Sequence, residues 1–158
     1  MKKLKIYLET TVFNWYFEAE RGFAGDIQLL FDEIVAGKFE AYASEYVVEE
    51  LLKTTGPKQE KMLDLLAKSR ISILRKSDEA ETLADAYAIH KVISENHEYD
   101  RWHLGCAVVN GMDAIISFNF SHINRRWTKD RIEAVNKLCG YNNITINLPM
   151  EVTGNEYV

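Results

Sequence analysis

The chain has 158 residues, of which 47% are hydrophobic and 27% are charged, with only two prolines. This composition is typical of an ordinary globular domain, and the length predicts a single core that buries about 70% of the unfolded surface. The formal net charge of −5 excludes a protein that binds nucleic acid through a broad basic surface alone. It does not exclude a nuclease, because metal ions can supply positive charge locally.

The cysteines and the N-terminus argue against a disulfide framework and against export. Cys106 and Cys139 have no CxxC or Cys/His spacing, so neither a zinc site nor disulfides are indicated, and we expect reduced thiols and a cytoplasmic protein. Residues 1–3 are basic, but Glu9 and Glu18 interrupt the apolar run that a signal peptide requires. No other stretch approaches the length of a membrane span.

Strands and helices are predicted to alternate along the chain. Short apolar runs rich in strand formers predict five strands, at residues 5–8, 39–43, 71–74, 114–116 and 144–146. Apolar residues at helical spacing predict helices that begin near Asp26, Ser44, Lys58, Ser77, Asp100 and Arg125.

This alternation predicts a three-layer α/β/α domain with a central, mostly parallel sheet and right-handed crossovers. We place the first strand in the centre of the sheet, and we expect one domain over residues 1–148 followed by a tail at 149–158. The aromatic residues Trp15, Tyr16 and Phe17 are too apolar for an exposed loop. Core packing is the first interpretation of these three residues, and a dimer surface is the alternative.

Polar side chains are predicted to gather at one edge of this sheet. Glu9 ends the first strand, Glu49 and Glu50 lie in the helix after the second, Asp100 begins a later helix, and Asn119 follows the fourth strand. Ligands collect outside the carboxyl ends of parallel strands, so these groups are able to converge there. Two like charges 4 Å apart repel by about 4 kcal/mol near a protein surface, and a bound cation would reverse that cost. Hard carboxylate oxygens favour Mg²⁺ or Mn²⁺.

Two of these acids have open alternatives. Glu49 and Glu50 lie equally far from the apolar face of their helix, so helical geometry does not choose between them. Asp100 is also a suitable N-cap whose charge would stabilise a helix start without any catalytic role.

Three segments, IYLETTV, SEYVVEELLK and YDRWHLGCAVVNGMDAIISFNFSHI, together resemble the PIN-domain nucleases, which include the ribonuclease toxins of bacterial toxin–antitoxin pairs. The resemblance runs in order over nearly the whole chain. It implies a PIN-like fold and a pocket in which Glu9, Glu50 and Asp100 hold Mg²⁺ or Mn²⁺, with Asn119 completing the catalytic set. The family's serine-to-glutamate spacing selects Glu50 and leaves Glu49 as a substitute.

The chain departs from the family at two neighbouring positions. Glu9 stands where the family most often has Asp, and Thr10 and Thr11 stand where it has Thr-Asn. In the last loop, the resemblance makes His122 a secondary site residue that could bind a phosphate or cap the loop. Ser117 would orient a neighbouring carboxylate.

One basic cluster accompanies these acids. Arg125, Arg126, Lys129 and Arg131 surround Trp127. One interpretation is a surface that holds an RNA backbone while an aromatic ring stacks on a base. The other is a solvated helix face with Trp127 in the core. His103 has no metal-ligand spacing and is expected to pack or cap near its helix start.

The resemblance implies a metal-dependent endoribonuclease that hydrolyses RNA phosphodiester bonds, as the toxin of a toxin–antitoxin pair. The implied partners are RNA, a small antitoxin protein and a second copy of the chain. No membrane association is expected. The alternative is a PIN-like module without turnover that binds RNA or a protein partner.

Overall fold

A computed structural model describes residues 2–119 and 124–154 of the chain. Five parallel strands form its central sheet in the order β3-β2-β1-β4-β5. Their bounds are β1 Lys5–Leu8, β2 Glu40–Ser44, β3 Ile71–Leu74, β4 Ala114–Ile116 and β5 Thr145–Asn147. The predicted bounds of β1, β3 and β4 are confirmed, whereas β2 and β5 each lie one residue later than predicted. The ladder of hydrogen bonds, which the local pattern does not contain, sets those ends.

Within the described ranges, seven α-helices cover the sheet: α1 Thr10–Tyr16, α2 Ala24–Val35, α3 Glu45–Lys53, α4 Pro57–Lys68, α5 Asp78–Ile89, α6 Glu98–Val109 and α7 Arg126–Leu138. Helices α1 to α4 pack against one another, and α5 packs against α6 and α7. Right-handed crossovers place these two groups on opposite faces of the sheet. The predicted three-layer α/β/α architecture is therefore confirmed.

The central position predicted for the first strand is also confirmed. Strand β1 pairs with β2 on one side and with β4 on the other. Ile6, Tyr7 and Leu8 are completely buried between the two helical layers. Glu9, the next residue, therefore emerges at the middle of the carboxyl edge of the sheet, where neighbouring elements surround it.

Helix α1 was not predicted. Its first residues, Thr10, Thr11 and Val12, are β-branched and have low helix propensity, so the seven-residue helix gives a weak periodic signal. Tertiary packing stabilises it instead, because its apolar side chains contact the core. The core-packing interpretation of Trp15, Tyr16 and Phe17 is confirmed.

Helix α6 begins earlier than predicted. It starts at Glu98 with His97 at the N-cap, so the expectation that Asp100 opens and caps this helix is wrong. Asp100 lies in the first turn, where its negative charge still complements the helix dipole. Its side chain is only 14% exposed, which is unusual for an acid that serves the dipole alone.

Helices α5 and α6 approach each other closely at Gly105. A Cβ atom built on Gly105 would lie 2.4 Å from the carbonyl oxygen of Ala80 in α5. Only glycine fits at this crossing, and its absence of a side chain sets how deeply α6 lies against α5.

Residues 149–154, within the predicted tail, contact the domain. A short 3₁₀ turn at Pro149–Glu151 buries Pro149, and the Gly154 backbone N–H donates to Glu33 Oε2 of α2 at 3.1 Å. No helix in the described ranges combines the length and the apolar character that a bilayer crossing requires.

Candidate metal centre

Glu9 lies at the carboxyl edge of the sheet as the N-cap of α1, and its side chain is 3% exposed. Its Oε1 accepts hydrogen bonds from the Thr11 backbone N–H at 3.1 Å, from Ser117 Oγ at 3.0 Å and from the Thr11 hydroxyl. These donors hold the carboxylate in one orientation. Ser117 thus contacts the carboxylate that it is predicted to orient, and the role itself stays a prediction.

The same two hydroxyl groups connect Glu9 to the loop that follows β4. Thr11 Oγ1 accepts from the Phe118 N–H at 2.9 Å, and Ser117 Oγ accepts from the Asn119 N–H at 2.9 Å. Asn119 therefore lies in a loop that is attached to Glu9 through a single intervening side chain. His122, the other predicted residue of this loop, lies outside the described residues.

Glu50 reaches the edge from α3, whose first turn is fixed by Ser44. The Ser44 Oγ accepts from the backbone N–H groups of Tyr46 and Val47, as its predicted N-cap role requires. One turn and a half later, Glu50 Oε1 lies 2.5 Å from both Thr10 Oγ1 and His103 Nε2. Glu50 therefore faces the pocket.

Glu49 makes a different set of contacts from Glu50. Its carboxylate forms an ion pair with Lys76 and accepts a hydrogen bond from the Tyr99 hydroxyl at 3.1 Å. The hydrogen bond from Lys76 lowers the pKa of Glu49. The geometry thus separates the two adjacent glutamates, which the helical pattern could not do, because Glu50 belongs to the ligand cluster and Glu49 pairs with Lys76. A secondary role for Glu49 stays a prediction.

His103 was missed as a pocket residue. Its ring is completely buried between Glu50 at Nε2 and the Tyr7 hydroxyl at Nδ1, the latter at 2.7 Å. The Tyr7 hydroxyl in turn lies 2.6 Å from Ser44 Oγ. His103 is packed in the core, as expected, and it also belongs to a group of potential metal ligands, which the expectation did not include. A signal was present, since His103 follows Asp100 by three residues and such residues share a helix face.

Asp100 lies on the wall of a cavity of about 460 Å³ beside Glu50. The cavity is lined by acidic and polar residues of the α6 start, namely Glu95, Asn96, His97, Glu98, Tyr99 and Asp100, together with Glu50. His97 Nδ1 lies 3.9 Å from Asp100 Oδ2. An acidic cavity beside the half-buried Glu50 carboxylate attracts cations.

The tightest group of potential metal ligands in the described ranges is Glu9, Glu50 and His103, whose ligand atoms lie within 4.8 Å of one another. Burial raises the pKa of Glu9 and outweighs the opposing effects of His103 and Thr11. Burial also acts to raise the pKa of Glu50, but the hydrogen bond and charge of His103 together lower it. The pKa of His103 is raised overall. Burial acts to lower it, but the hydrogen bond and charge of Glu50, together with the charges of Glu9 and Asp100, outweigh that effect.

These residues fit a divalent cation. Two carboxylates and one imidazole supply oxygen and nitrogen ligands of the kinds that divalent metal ions bind in proteins. The buried Glu9 carboxylate is unfavourable as an isolated charge, as its raised pKa indicates, and a cation in the pocket would stabilise it.

Glu9→Gln is expected to raise the melting temperature of the metal-free protein at neutral pH. Because burial raises the pKa of Glu9, the folded protein favours the protonated carboxyl. The contribution of Glu9 to the stability of the fold is therefore present at acidic pH and is lost as the pH rises through the folded-state pKa. The amide oxygen can still accept from Thr11 and Ser117. Thermal melts in the presence of a chelator should show a gain in melting temperature that shrinks below pH 4.5, since 4.5 is the ordinary pKa of this carboxyl.

Glu49→Gln is the matched control for this measurement. Since Lys76 lowers the pKa of Glu49, neutralising that carboxylate should leave the melting temperature at neutral pH unchanged or slightly lower. A lower melting temperature for Glu9→Gln than for the parent chain at neutral pH would contradict the expectation.

Comparisons with known proteins concern the fold. No family model matches the sequence, and no curated protein matches it. The fold is similar to that of a chain in the crystal structure of VapBC2 from Rickettsia felis bound to a DNA fragment from their promoter. The TM-score is 0.57 and the sequence identity is 12%. The similarity covers 92% of this chain and 98% of that chain. At this identity it is a similarity of architecture, and the predicted PIN-like fold is confirmed at that level.

Proposed function

We propose that this protein is a metal-dependent endoribonuclease that hydrolyses RNA phosphodiester bonds. The observation that carries the proposal is the convergence of Glu9 and Glu50 at the carboxyl edge of a PIN-like sheet, beside the acidic cavity that contains Asp100. Carboxylates in this position match the metal pocket that the sequence resemblance implies. An acidic cavity would otherwise repel a phosphodiester, so a cation is the natural mediator between them.

In this proposal Glu9 and Glu50 hold Mg²⁺ or Mn²⁺. When bound, the ion supplies an activated water for attack on phosphorus and stabilises the departing oxygen. Thr11 and Ser117 orient Glu9, while Thr10 and His103 orient Glu50.

We assign Asp100 and Asn119 the role of completing the proposed pocket. Asp100 is 14% exposed on the cavity wall, so it can hold the ion directly or through water and remain accessible to substrate. Asn119 lies in the loop after β4, attached to the Glu9 environment through Ser117. We assign His122 a secondary role in the same loop on the sequence resemblance alone.

A surface for the RNA strand lies at the start of α7. Trp127 is 54% exposed, so the alternative that it belongs to the core is wrong. The guanidinium of Arg131 lies 4.6 Å from the centre of the Trp127 ring, and Arg125 and Arg126 are exposed beside it. A flat aromatic ring surrounded by cations suits a stacked base and its phosphates.

A toxin role is part of the proposal because the sequence resemblance includes toxins of toxin–antitoxin pairs, and a small antitoxin protein would then be a partner. The similarity to a chain of VapBC2 bound to promoter DNA supports the same class at the level of fold. We also propose homodimers, which sedimentation at micromolar concentration would detect.

The second candidate is a PIN-like module that binds RNA or a protein without turnover. The contact between His103 and Glu50 favours it, because an imidazolium beside the carboxylates supplies part of the charge that a metal would bring. Calorimetric titration with Mn²⁺ separates the candidates, since only the nuclease needs saturable divalent binding in the pocket.

The decisive experiment measures cleavage of a labelled single-stranded RNA by the purified chain. We expect cleavage with Mn²⁺ or Mg²⁺, none with excess EDTA, and a severe loss in Asp100→Asn, which keeps the shape of the side chain but removes its charge. Cleavage that persists in EDTA, or an Asp100→Asn variant with the parent's metal affinity and rate, would reject the proposal.

A further inference from the structure

His103 places a nitrogen atom among the carboxylate oxygens of the pocket. Its Nε2 lies 2.5 Å from Glu50 Oε1 and 3.2 Å from Thr10 Oγ1, and it belongs to the same 4.8 Å cluster as Glu9. A bound ion that contacts both glutamates would therefore lie within reach of this nitrogen. The pocket is not a site of oxygen ligands alone.

The buried environment of His103 presents Nε2 to the pocket. The opposite nitrogen, Nδ1, lies 2.7 Å from the Tyr7 hydroxyl, which itself contacts Ser44 Oγ at 2.6 Å. Histidines that bind metals usually donate the N–H of their second nitrogen to such a partner, which sets the tautomer and the ring orientation. Tyr7, Ser44 and His103 are all completely buried, so water does not compete for these contacts.

We propose that His103 Nε2 is a direct ligand of the ion, together with Glu9 and Glu50, and that the centre prefers Mn²⁺ or Zn²⁺ to Mg²⁺. With an ion bound, Nε2 would carry no proton and Nδ1–H would donate to Tyr7, so a His103 that is an imidazolium in the metal-free protein would give up its Nε2 proton, and with it the hydrogen bond to Glu50, to solvent. Imidazole nitrogen suits transition ions, whereas Mg²⁺ favours an octahedron of oxygens. This inference rests on the proposed function only in placing the ion in the same pocket.

His97 is the natural internal control for this assignment. It is the other imidazole near the pocket in the described part of the chain, it lines the acidic cavity, and it lies beside Asp100 rather than beside the glutamates. Its side chain is 35% exposed, whereas His103 is completely buried. A nitrogen ligand from His97 would thus survive the loss of His103.

The test is pulsed electron paramagnetic resonance of the intact chain loaded with Mn²⁺, prepared with ordinary and with nitrogen-15 histidine. We expect a histidine nitrogen coupling in the parent chain and in His97→Gln, and its loss in His103→Gln. The parent chain tests the inference even if His103→Gln does not fold. An ion with only oxygen ligands in the parent, or a coupling that is lost in His97→Gln and kept in His103→Gln, would overturn the inference.

Affinities measured by calorimetry supply a second readout. We expect Mn²⁺ and Zn²⁺ to bind the parent more tightly than Mg²⁺, and His103→Gln to narrow that difference. Tyr7→Phe, which keeps the ring but removes the partner of Nδ1, should weaken Mn²⁺ binding by about 10- to 100-fold. Equal affinities of the parent for Mg²⁺ and Mn²⁺ would contradict the preference.

The metal-binding experiments and the RNA assay test the inference and the proposed function separately. If Mn²⁺ binds through nitrogen but no RNA is cleaved, the inference stands and the proposed function falls. If RNA is cleaved with an ion held by oxygens alone, the proposed function stands and the inference falls. If no divalent ion binds, both are rejected.

Discussion

Glu50→Gln is expected to reduce metal-dependent RNA cleavage by about 10³-fold, because metal-ion catalysis supplies several kcal/mol of transition-state stabilisation. The substitution removes a charged ligand from the proposed centre. Gln can still accept from Thr10 and His103 through its amide oxygen, so the contacts that position α3 have a substitute. Initial rates at saturating Mn²⁺, with circular dichroism to verify folding, measure the effect.

Glu49→Gln is the control for Glu50→Gln, because it makes the same chemical change one residue earlier in α3. Glu49 pairs with Lys76 and Tyr99 and does not belong to the cluster of Glu9, Glu50 and His103. Its loss should change the rate by less than about threefold, since an exposed ion pair contributes under about 1 kcal/mol. The opposite ranking of the two variants would show that Glu49 is the functional acid. Equal, unimpaired rates would remove the α3 glutamates from the mechanism.

Gly105→Ala is expected to destabilise the domain by about 3 kcal/mol, the upper part of the usual range for overpacking. The added Cβ would lie 2.4 Å from the Ala80 carbonyl oxygen, which is backbone and cannot rotate away. For a chain of this size, that loss lowers the melting temperature by roughly 6–12 °C. Differential scanning calorimetry measures it.

Gly25→Ala provides the matched control within a helix. Gly25 lies in α2, and a Cβ atom at this position would contact nothing within 4 Å. The substitution should raise stability by about 0.4–1 kcal/mol by restricting the unfolded chain. A Gly105→Ala variant as stable as Gly25→Ala would show that α5 and α6 separate at low cost.

Gly105→Ala also tests how the fold positions the site. Gly105 is in the same helix as Asp100 and His103, so moving α6 away from α5 should displace both side chains from Glu50. We therefore expect weaker Mn²⁺ binding in the folded fraction of Gly105→Ala. Unchanged affinity would indicate that the start of α6 is held mainly by its contacts with α3.

The architecture was predictable because its signals are local. The apolar runs at 5–8, 71–74 and 114–116 coincide with β1, β3 and β4, and Ser44 and Ser77 cap their helices as their side chains suggest. Helix α1 was not predictable, because its β-branched residues have low helix propensity and only packing against the core stabilises it.

The candidate site was predictable in part. The positions of Glu9 and Ser117 follow from strand ends, since the carboxyl ends of adjacent parallel strands meet at one edge. The role of Asp100 as a helix cap was wrong because the true start of α6 depends on the loop before it. The metal-binding and catalytic roles of these residues stay predictions.

The sequence by itself determined the five strands, six of the seven described helices, the parallel sheet and the edge at which its acids gather, because periodicity and strand-end positions are properties of the chain. The family resemblance implied that Glu9 and Glu50 share a pocket, and only the tertiary structure showed that their carboxylates lie together. Glu49 and Glu50 are equivalent in the helical pattern, and they differ because Lys76 lies beside one and His103 beside the other. His103 lies in the site for the same reason, because the packing of distant segments determines where a buried side chain points.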